Sequence, residues 1–501
     1  MTTLYVSSVD GSNSDNGTTW ALAKQTVAGA LSALTGTGPH LIYVDSAHNY
    51  TASAAISWVA SVASQTVAII SVNRNGSTTT GHSGWLSGAK ENVGAVSSGF
   101  TLAGTRAQNM YIYGCTLISG NSGSFANGVY IANDNNATRL TIDTCTIDNP
   151  TTSTSGNAGI SVGTALNSAY IPVDVAFVKT TFKLRNSSAS VGFTQLTGNV
   201  RFVGCSIAFS GANKPTAMFQ NQIGTGISNV VFQDCDLSGY DVSSGAYINV
   251  GSLLHGKIAI VNCKLSATPT IQTGTWDANN SAYIEIINSD SSDTNNYYAF
   301  YNRLGTITRD TSVYRNKGAK FDGNNCSWKL VTTSAVSEGE PFVFPLIQRW
   351  SGNTASATFS VDVAFDNATD QTDRTLWAEF SVLESSSFPN GTTTSTRNAN
   401  PFDASGVNLS SSSDDWTGTG GWTNAKKRTM SVTRTAAEKS FIMARMSAAT
   451  ASWTAYFDPV ITITGNVNNA SVVWPTNGGA INTEPLVGVF RHPGMSGGLN
   501  G

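Results

Sequence analysis

Charged side chains are scarce in this chain of 501 residues. They make up 12% of it, about half of the share usual in globular domains, and the formal net charge is −3. Without a basic excess, nucleic acid is not an expected partner. No run of about 20 apolar residues occurs, so we expect no segment that inserts into a membrane.

The usual sequence patterns of metal centres and cysteine nucleophiles are also absent. No C-x-x-C pair occurs among the six cysteines, and the five histidines, at positions 40, 48, 82, 255 and 492, are scattered. The opening MTTLYVSSVDG has neither the basic nor the apolar region of a signal peptide. We therefore expect no cofactor, and a chain made in the cytoplasm with reduced thiols.

What the sequence does contain is a repeat built around cysteine. Its pattern is apolar, any residue, apolar, two residues, Cys, any residue, apolar, as in NVRFVGCSIAFS and NVVFQDCDLSGY. Two weaker copies have Thr or Ser in place of Cys. The anchors lie 25 to 35 residues apart, at Cys115, Cys145, Thr180, Cys205, Cys235, Cys263 and Ser289. Apolar residues that alternate by two exclude a helical repeat and predict a parallel β-helix, one strand-turn-strand coil per repeat.

The anchor cysteines have a structural interpretation. A free cysteine behaves as a small buried hydrophobe, so we expect the anchors to point into the helix as a ladder. Stacked neighbours would also lie close enough for a disulfide, and metal binding or catalysis stay open as further alternatives. The favoured prediction is six free thiols, including Cys326.

The first 50 residues are predicted to form an N-terminal cap and the first coil. Residues 19–34 contain apolar side chains on one helical face, at Trp20, Ala23, Val27, Ala30, Leu31 and Leu34. Such a helix would cover the open end of a solenoid. The loop DGSNSDNG offers Asp10 and Asp15 as weak Ca²⁺ ligands, but it lacks the spacing of an EF-hand, and a plain turn is favoured.

The composition changes after the last coil. Residues 51–330 form the predicted β-helix, VTTSAVSEGE at 331–340 is a connector, and 341–470 contain at least six alternating strands, typical of an antiparallel, jelly-roll-like sandwich. Trp416 and Trp422 could stack on sugar rings, although a core or interface role is favoured. Residues 471–501 form an extended tail, in which Pro485 to Phe490 could add a strand to a neighbouring subunit.

Two stretches carry a family resemblance. YVSSVDGSNSDNGTTW, followed by the capping helix and HLIYVDSAHNY, resembles the opening of pectate-lyase-like right-handed β-helix proteins over about residues 1–330. In phages, such proteins include tailspikes, tail fibres and other virion surface proteins, and YFDPVITITG also resembles phage virion proteins. The resemblance implies a virion protein made in the host cytoplasm. No acidic cluster matches the Ca²⁺ sites of the family's lyases, so no catalytic residue is carried over.

An outward stripe predicts the oligomeric state. Two residues before the anchors lie Tyr113, Asp143, Val178, Val203, Gln233, Val261 and Ile287, and alternation aims this column away from the core. Five of the seven are apolar, so we expect the stripe to be covered, either by a long loop of the same chain or by neighbouring copies. The resemblance favours a homotrimer with an interface formed by Tyr113, Val178, Val203, Val261 and Ile287.

The best carboxylate pair for glycan cleavage is Asp236 and Asp290. Each follows an anchor, two coils or about 9.6 Å apart, with Lys264 between them. Surface acids so placed are usually just solvated. The favoured function is therefore a non-enzymatic virion spike, as a capsid decoration, head fibre or tail fibre component. It would attach to other virion proteins through the sandwich or tail and could bind a host-surface glycan. A polysaccharide depolymerase of the tailspike type is the alternative.

Overall fold

The structure is a computed structural model of the full chain. It describes residues 1–62, 65–94, 99–103, 108–120, 127–131, 139–150, 159–163, 174–184, 191–194, 196, 198–209, 215, 217–220, 227–240, 246–249, 255–267, 269–273, 281–287, 289, 297–299, 306–310, 314–315, 327–331, 341–365, 374–383, 397–401, 407–408, 416–417, 426–434, 440–448 and 454–472.

The longest sheet, called sheet 1, has eleven strands, of which the first ten pair in parallel and the last is antiparallel. Each of these ten strands after the first stacks on the one a coil earlier, as expected for a solenoid. In order, the strands are Thr2–Val6, His40–Asp45, Gln65–Val72, Gln108–Tyr113, Arg139–Asp143, Asp174–Val178, Gly198–Val203, Ile227–Gln233, His255–Val261, Ser281–Ile287 and Tyr297–Ala299.

Two further parallel sheets complete each coil. Sheet 2 has eight strands: Ile56–Trp58, Phe100–Leu102, Asn127–Ile131, Gly159–Val162, Val191–Thr194, Ala217–Gln220, Ala246–Asn249 and Gln272–Thr273. Sheet 3 has six: Asn49–Thr51, Lys90–Asn92, Thr116–Ile118, Thr146–Asn149, Thr181–Leu184 and Ser206–Phe209. The three stacks of parallel strands fit a right-handed parallel β-helix and confirm the predicted fold. Six coils, beginning at His40–Asp45 and ending at Ala217–Gln220, have three strands each, where the repeat predicted two.

Stacked apolar side chains fill the interior of the helix. In sheet 1, Phe177 lies on Phe202 with ring centroids 4.9 Å apart, and Phe202 lies on Phe232 at 4.4 Å. The three phenylalanines hold the same register position in consecutive strands. Their burial is complete or nearly so, and ring stacking adds to the burial of apolar area. The spacing of the sequence repeat thus becomes a continuous core.

The predicted cap helix over residues 19–34 is wrong in extent. A 3-10 turn at Trp20–Leu22 and an α-helix at Val27–Ala33 replace it. The backbone N–H groups of Trp20 and Ala21 donate to the carbonyls of Thr79 and Thr78, so the first segment is held by another loop. Trp20 packs on the outer side of sheet 1, whereas the helix packs into the core. In the described part of the chain, no helix is long and apolar enough to cross a membrane.

A buried carboxylate joins the cap helix to the coils. Glu91 accepts hydrogen bonds from the backbone N–H of Val27 at 2.8 Å and from the indole N–H of Trp58 at 2.7 Å. His48 Nε2 lies 3.4 Å from the same carboxylate, and both side chains are almost fully buried. A buried carboxylate is tolerated only with such partners. Glu91 therefore fixes the helix over the first coils.

Pairing changes from parallel to antiparallel at Tyr297–Ala299, earlier than residue 330, where coil spacing places the end of the β-helix. Nine strands then form one antiparallel sheet: Thr306–Asp310, Ser327–Val331, Pro341–Phe365, Arg374–Leu383, Arg397–Pro401, Val407–Asn408, Lys426–Arg434, Ser440–Ala448 and Thr454–Val472. Tyr314–Arg315 pairs with Trp416–Thr417. The folding of these strands into a sandwich stays a prediction. The tail beyond Val472 lies outside the described residues.

Candidate functional site

The anchor side chains share one hydrogen-bonding role. Thr180 donates from its hydroxyl to the carbonyl oxygen of Ile142 in the preceding coil at 3.0 Å, and to that of Val178 at 3.1 Å. Cys205 makes the equivalent contacts through its thiol, with Phe177 at 3.3 Å and Val203 at 3.6 Å. Cys145, Cys235, Cys263 and Ser289 repeat both contacts. An anchor must therefore be small and carry a donor.

A left-handed bend precedes six of the anchors. The residue that precedes the anchor has a left-handed backbone with φ between 47° and 70°, at Gly114, Thr144, Lys179, Gly204, Asp234 and Asn262. Asparagine, aspartate and glycine tolerate this conformation better than other residues. The bend turns the chain out of sheet 1 and into sheet 3. Anchor side chains hydrogen-bond the carbonyl groups beside it.

The cysteines themselves are poorly suited to chemistry. Cys115, Cys145, Cys205, Cys235 and Cys263 are free and buried, with 2–3% of each residue exposed. Burial raises the pKa of the Cys145 thiol to about 12, and that of Cys115 is raised by the same cause. A thiol in this state is neither a good nucleophile nor a metal ligand. Cys326 lies outside the described residues.

The outer face of sheet 1 is the candidate functional surface. The predicted outward column is a single register: Tyr113 pairs with Asp143, and the pairing continues through Val178, Val203, Gln233, Val261 and Ile287. A second outward column contains Tyr111, Thr141, Ala176, Arg201, Val231, Ala259 and Glu285. With strands about 4.8 Å apart, these columns form a flat face along the helix.

Cover over this face differs along its length. At the N-terminal end, Trp85 packs on Tyr113 with ring centroids 4.8 Å apart. Val178 and Val203 in the middle are half-buried. At the C-terminal end, Val261 is only 8% exposed within a single chain. The five residues predicted as a trimer interface thus lie in one column but differ in their cover.

A polar cluster lies on the strands Gln108–Tyr113 and Arg139–Asp143 of this face. The Tyr111 hydroxyl donates to Asp143 at 2.8 Å, and the Thr144 hydroxyl donates to the other oxygen of that carboxylate at 2.8 Å. Burial, reinforced by the charge of Asp143, raises the pKa of Tyr111 well above its usual range. Tyr111 is therefore a hydrogen-bond donor at neutral pH, and it holds Asp143 in place.

A buried aspartate and two arginines lie on the same face. Arg139 Nε is 3.8 Å from Asp174, whose side chain is fully buried. Burial lowers the pKa of the Arg201 guanidinium, and the charge of Asp174 acts in the opposite direction. Since an uncompensated buried charge is costly, the two arginines stabilise the carboxylate of Asp174. This cluster was not predicted from the sequence, although its members stand four or six residues before their anchors.

The proposed carboxylate pair is only partly described. Asp236 accepts hydrogen bonds from the backbone and the hydroxyl of Ser238 and lies 3.3 Å from Lys264 Nζ. The Ser238 hydroxyl is the main cause that lowers the pKa of Asp236, with Lys264 acting in the same direction. A general acid needs the opposite shift. Asp290 lies outside the described residues, so the pair itself stays a prediction.

The remaining candidate residues lie apart from this face. Asp10 pairs with Arg74, and Asp15 is half-buried in a loop whose backbone bonds to Ser12. Among the described residues, no group of three or more His, Cys, Asp or Glu side chains is placed to hold a metal ion. Trp416 begins the short strand Trp416–Thr417, and Trp422 is outside the described residues.

Comparisons with known proteins add one structural likeness. No protein-family model and no curated protein matches the chain. Among solved structures, the chain is similar to the enzymatically active domain of tailspike protein 4 of bacteriophage CBA120, with 12% sequence identity and a TM-score of 0.26. The alignment covers 86% of this chain and 59% of that chain. The fold assignment therefore rests on the strand pairing described above.

Proposed function

We propose that this chain is a structural protein of a bacteriophage virion surface, a trimeric β-helical spike without enzymatic activity. It would serve as a capsid decoration, head fibre or tail fibre component. The observation that carries the proposal is the pairing of Val178 with Val203 in an outward column of a parallel β-helix. A rigid solenoid with an apolar outer stripe is suited to side-by-side assembly about a rotation axis.

The stripe available for such an assembly is centred on the middle coils. Val178 and Val203 are half-buried, and Trp85 and Leu86 nearby are 39% and 47% exposed. Trp85 packs on Tyr113, the first member of the predicted interface, and so extends the apolar stripe outward. Val261 and Ile287, the other predicted members, lie at the covered end of the face. In a trimer, Trp85, Val178 and Val203 would meet their copies near the axis.

The state of Asp236 supports the non-enzymatic interpretation. Its carboxylate is hydrogen-bonded to Ser238 and paired with Lys264, and its pKa is lowered. It would therefore stay ionised at neutral pH and could not protonate a leaving group. Attachment to other virion proteins would use the C-terminal sheet or tail, and the spike could bind a host-surface glycan.

The second candidate is a polysaccharide depolymerase, which would need two carboxylates on one face. Asp143 and Asp174 project from adjacent strands of the outer face, one held by Tyr111 and the other beside Arg139. Asp174 pairs with Arg139, four residues before Asp143, so the two carboxylates lie about 13 Å apart along the strands. This separation is wider than the roughly 6.5–9.5 Å of inverting glycosidases, and Asp174 is buried. The two candidates differ in whether purified protein releases oligosaccharide from host glycans.

Labelling of intact phage particles tests the proposed function directly. An antibody raised against this chain, applied to purified particles and imaged in negative stain, should bind at discrete surface positions. Particles labelled without disruption would support a surface protein and place it on head or tail. Label that requires broken particles, or no label at all, would contradict the proposal.

A further inference from the structure

Three buried residues and one half-buried residue form a cluster on the outer face of sheet 1, although they point away from the core. They form what we call the outer patch, and they are Val231, Ala259, Val261 and Ile287. Val231, Ala259 and Val261 are 4%, 0% and 8% exposed, and Ile287 is half-buried at the edge. Such burial on an outer face requires a cover.

The interior of the β-helix does not supply this cover. Val230, Phe232, Ile258 and Ile260, the neighbours of these residues along the strands, fill the core, and alternation sends the patch to the other side of the sheet. Val203, in the same column two strands earlier, is more exposed. The cover is therefore local to the last coils.

A strand from the C-terminal sheet lies where the cover is needed. Pro341–Phe365 contacts three strands of sheet 1, which are Ile227–Gln233, His255–Val261 and Ser281–Ile287. These are the strands that carry the outer patch. The strand belongs to the same chain, so an occupant for the patch is present without any partner.

The two ends of this strand differ in their sequence pattern. Its first seven residues read PFVFPLI, and both alternating sets of residues in this half are apolar. In its last nine residues, ATFSVDVAF, one alternating set is largely polar. A strand that is apolar in both sets is typical of one covered on both faces, whereas the second pattern is typical of one wet face. Residues 341–347 therefore need a second apolar neighbour besides their own sheet.

We propose that the outer patch is a docking surface for residues 341–347 of the same chain. The contact holds the C-terminal sheet on the last coils of the β-helix. It follows that Val261 and Ile287 are engaged within one chain and that a side-by-side assembly uses the coils before them. The docking contact does not depend on the trimer, because it needs only one chain.

Proteolysis of the full-length chain tests the contact. The connector contains Glu338, followed by glycine, at which a glutamyl endopeptidase can cut. Val261→Asp places a carboxylate in the patch, so undocking should accelerate cleavage there at least about tenfold. Ala208→Asp makes a similar change on the outer face of sheet 3 and should leave the rate unchanged. Equal rates for the Val261→Asp variant and the unmodified chain would overturn the proposal.

Photo-cross-linking identifies the segment that covers the outer patch without changing the residues at the centre of the patch. A benzophenone amino acid replaces Ile287 at the half-buried edge, and the products are sized and sequenced by mass spectrometry. A product of single-chain mass, joined to a peptide within 341–365, is the expected result. A product of two-chain mass would show that a second copy fills the patch, and it would overturn the proposal. So would cross-linking to another segment, or no cross-linked product.

Discussion

Thr180 donates its hydroxyl hydrogen to the carbonyl oxygen of Ile142, one coil earlier, at 3.0 Å. Cysteine anchors make the same bond with a thiol, at 3.3 Å from Cys205 to Phe177. The repeat therefore selects small side chains that can donate, and cysteine also contributes an apolar surface. This explains why Cys, Thr and Ser exchange at the anchors.

Removal of that donor should weaken the helix. Thr180→Val keeps the shape of the side chain and removes a donor from the carbonyls of Ile142 and Val178. Because the Val178 carbonyl still accepts the backbone N–H of Thr144, we expect the free energy of unfolding to fall by only about 0.5–1.5 kcal/mol. Thr180→Cys retains a donor, so the free energy of unfolding of this variant should fall less. Urea unfolding followed by circular dichroism measures both variants. Equal stabilities for the two variants would contradict the role assigned to the anchor.

The anchors also show how far the sequence predicts the fold. Their spacing predicted the stacking of Cys115 on Cys145 and the outward register of Val178 on Val203, because both follow from strict alternation. Sheet 2 was not predicted, since its short strands, such as Phe100–Leu102, are separated by loops of variable length. The split of the cap helix depends on a distant loop that holds Trp20. The periodicity of a local segment cannot predict such a long-range contact.

The thiols should be protected in the native state and free after unfolding. The structure describes five of the six cysteines. All five are buried, and none of them forms a disulfide. A thiol reagent added to native protein should therefore react slowly, while protein denatured without reductant should titrate about six thiols per chain. A count near two would indicate disulfides.

Alkaline pH should destabilise the helix through the same thiols. Burial raises the pKa of Cys145 from 9.0 to about 12, so the folded chain keeps a proton that the unfolded chain loses. The stabilisation is complete below pH 9 and is lost as the pH rises toward 12. Between pH 8 and 10, Cys145→Ser should lose about 1.4 kcal/mol less stability than the unmodified chain. Denaturant unfolding at both pH values measures the difference.

Purified protein should release no oligosaccharide from host capsule or lipopolysaccharide. Asp236 is held ionised by Ser238 and Lys264, which is unsuitable for acid catalysis. Chromatography of the incubated glycan measures release. If release occurs, loss in Asp236→Asn or Asp290→Asn would assign the activity to that carboxylate pair, whereas loss in Asp143→Asn would assign it to the outer face of sheet 1. Release of either kind would establish the depolymerase instead.

The same repeat could have predicted the polar and charged residues on the outer face of sheet 1. Tyr111 and Arg201 stand four residues before their anchors, and Arg139 and Asp174 stand six before theirs, so all four are outward by alternation. What the sequence could not supply is the cover at each end of the face. Trp85 reaches Tyr113 from a loop, and Pro341–Phe365 reaches the last strands from a separate sheet.

The mass of the full-length chain in solution is the most direct test of the trimeric spike. Light scattering should give about three times 52.4 kDa. Val178→Asp and Val203→Asp should each reduce the mass to that of one chain, because each places a carboxylate in the stripe, whereas Ala208→Asp on sheet 3 should not. A well-folded monomer of the unmodified protein would contradict the account.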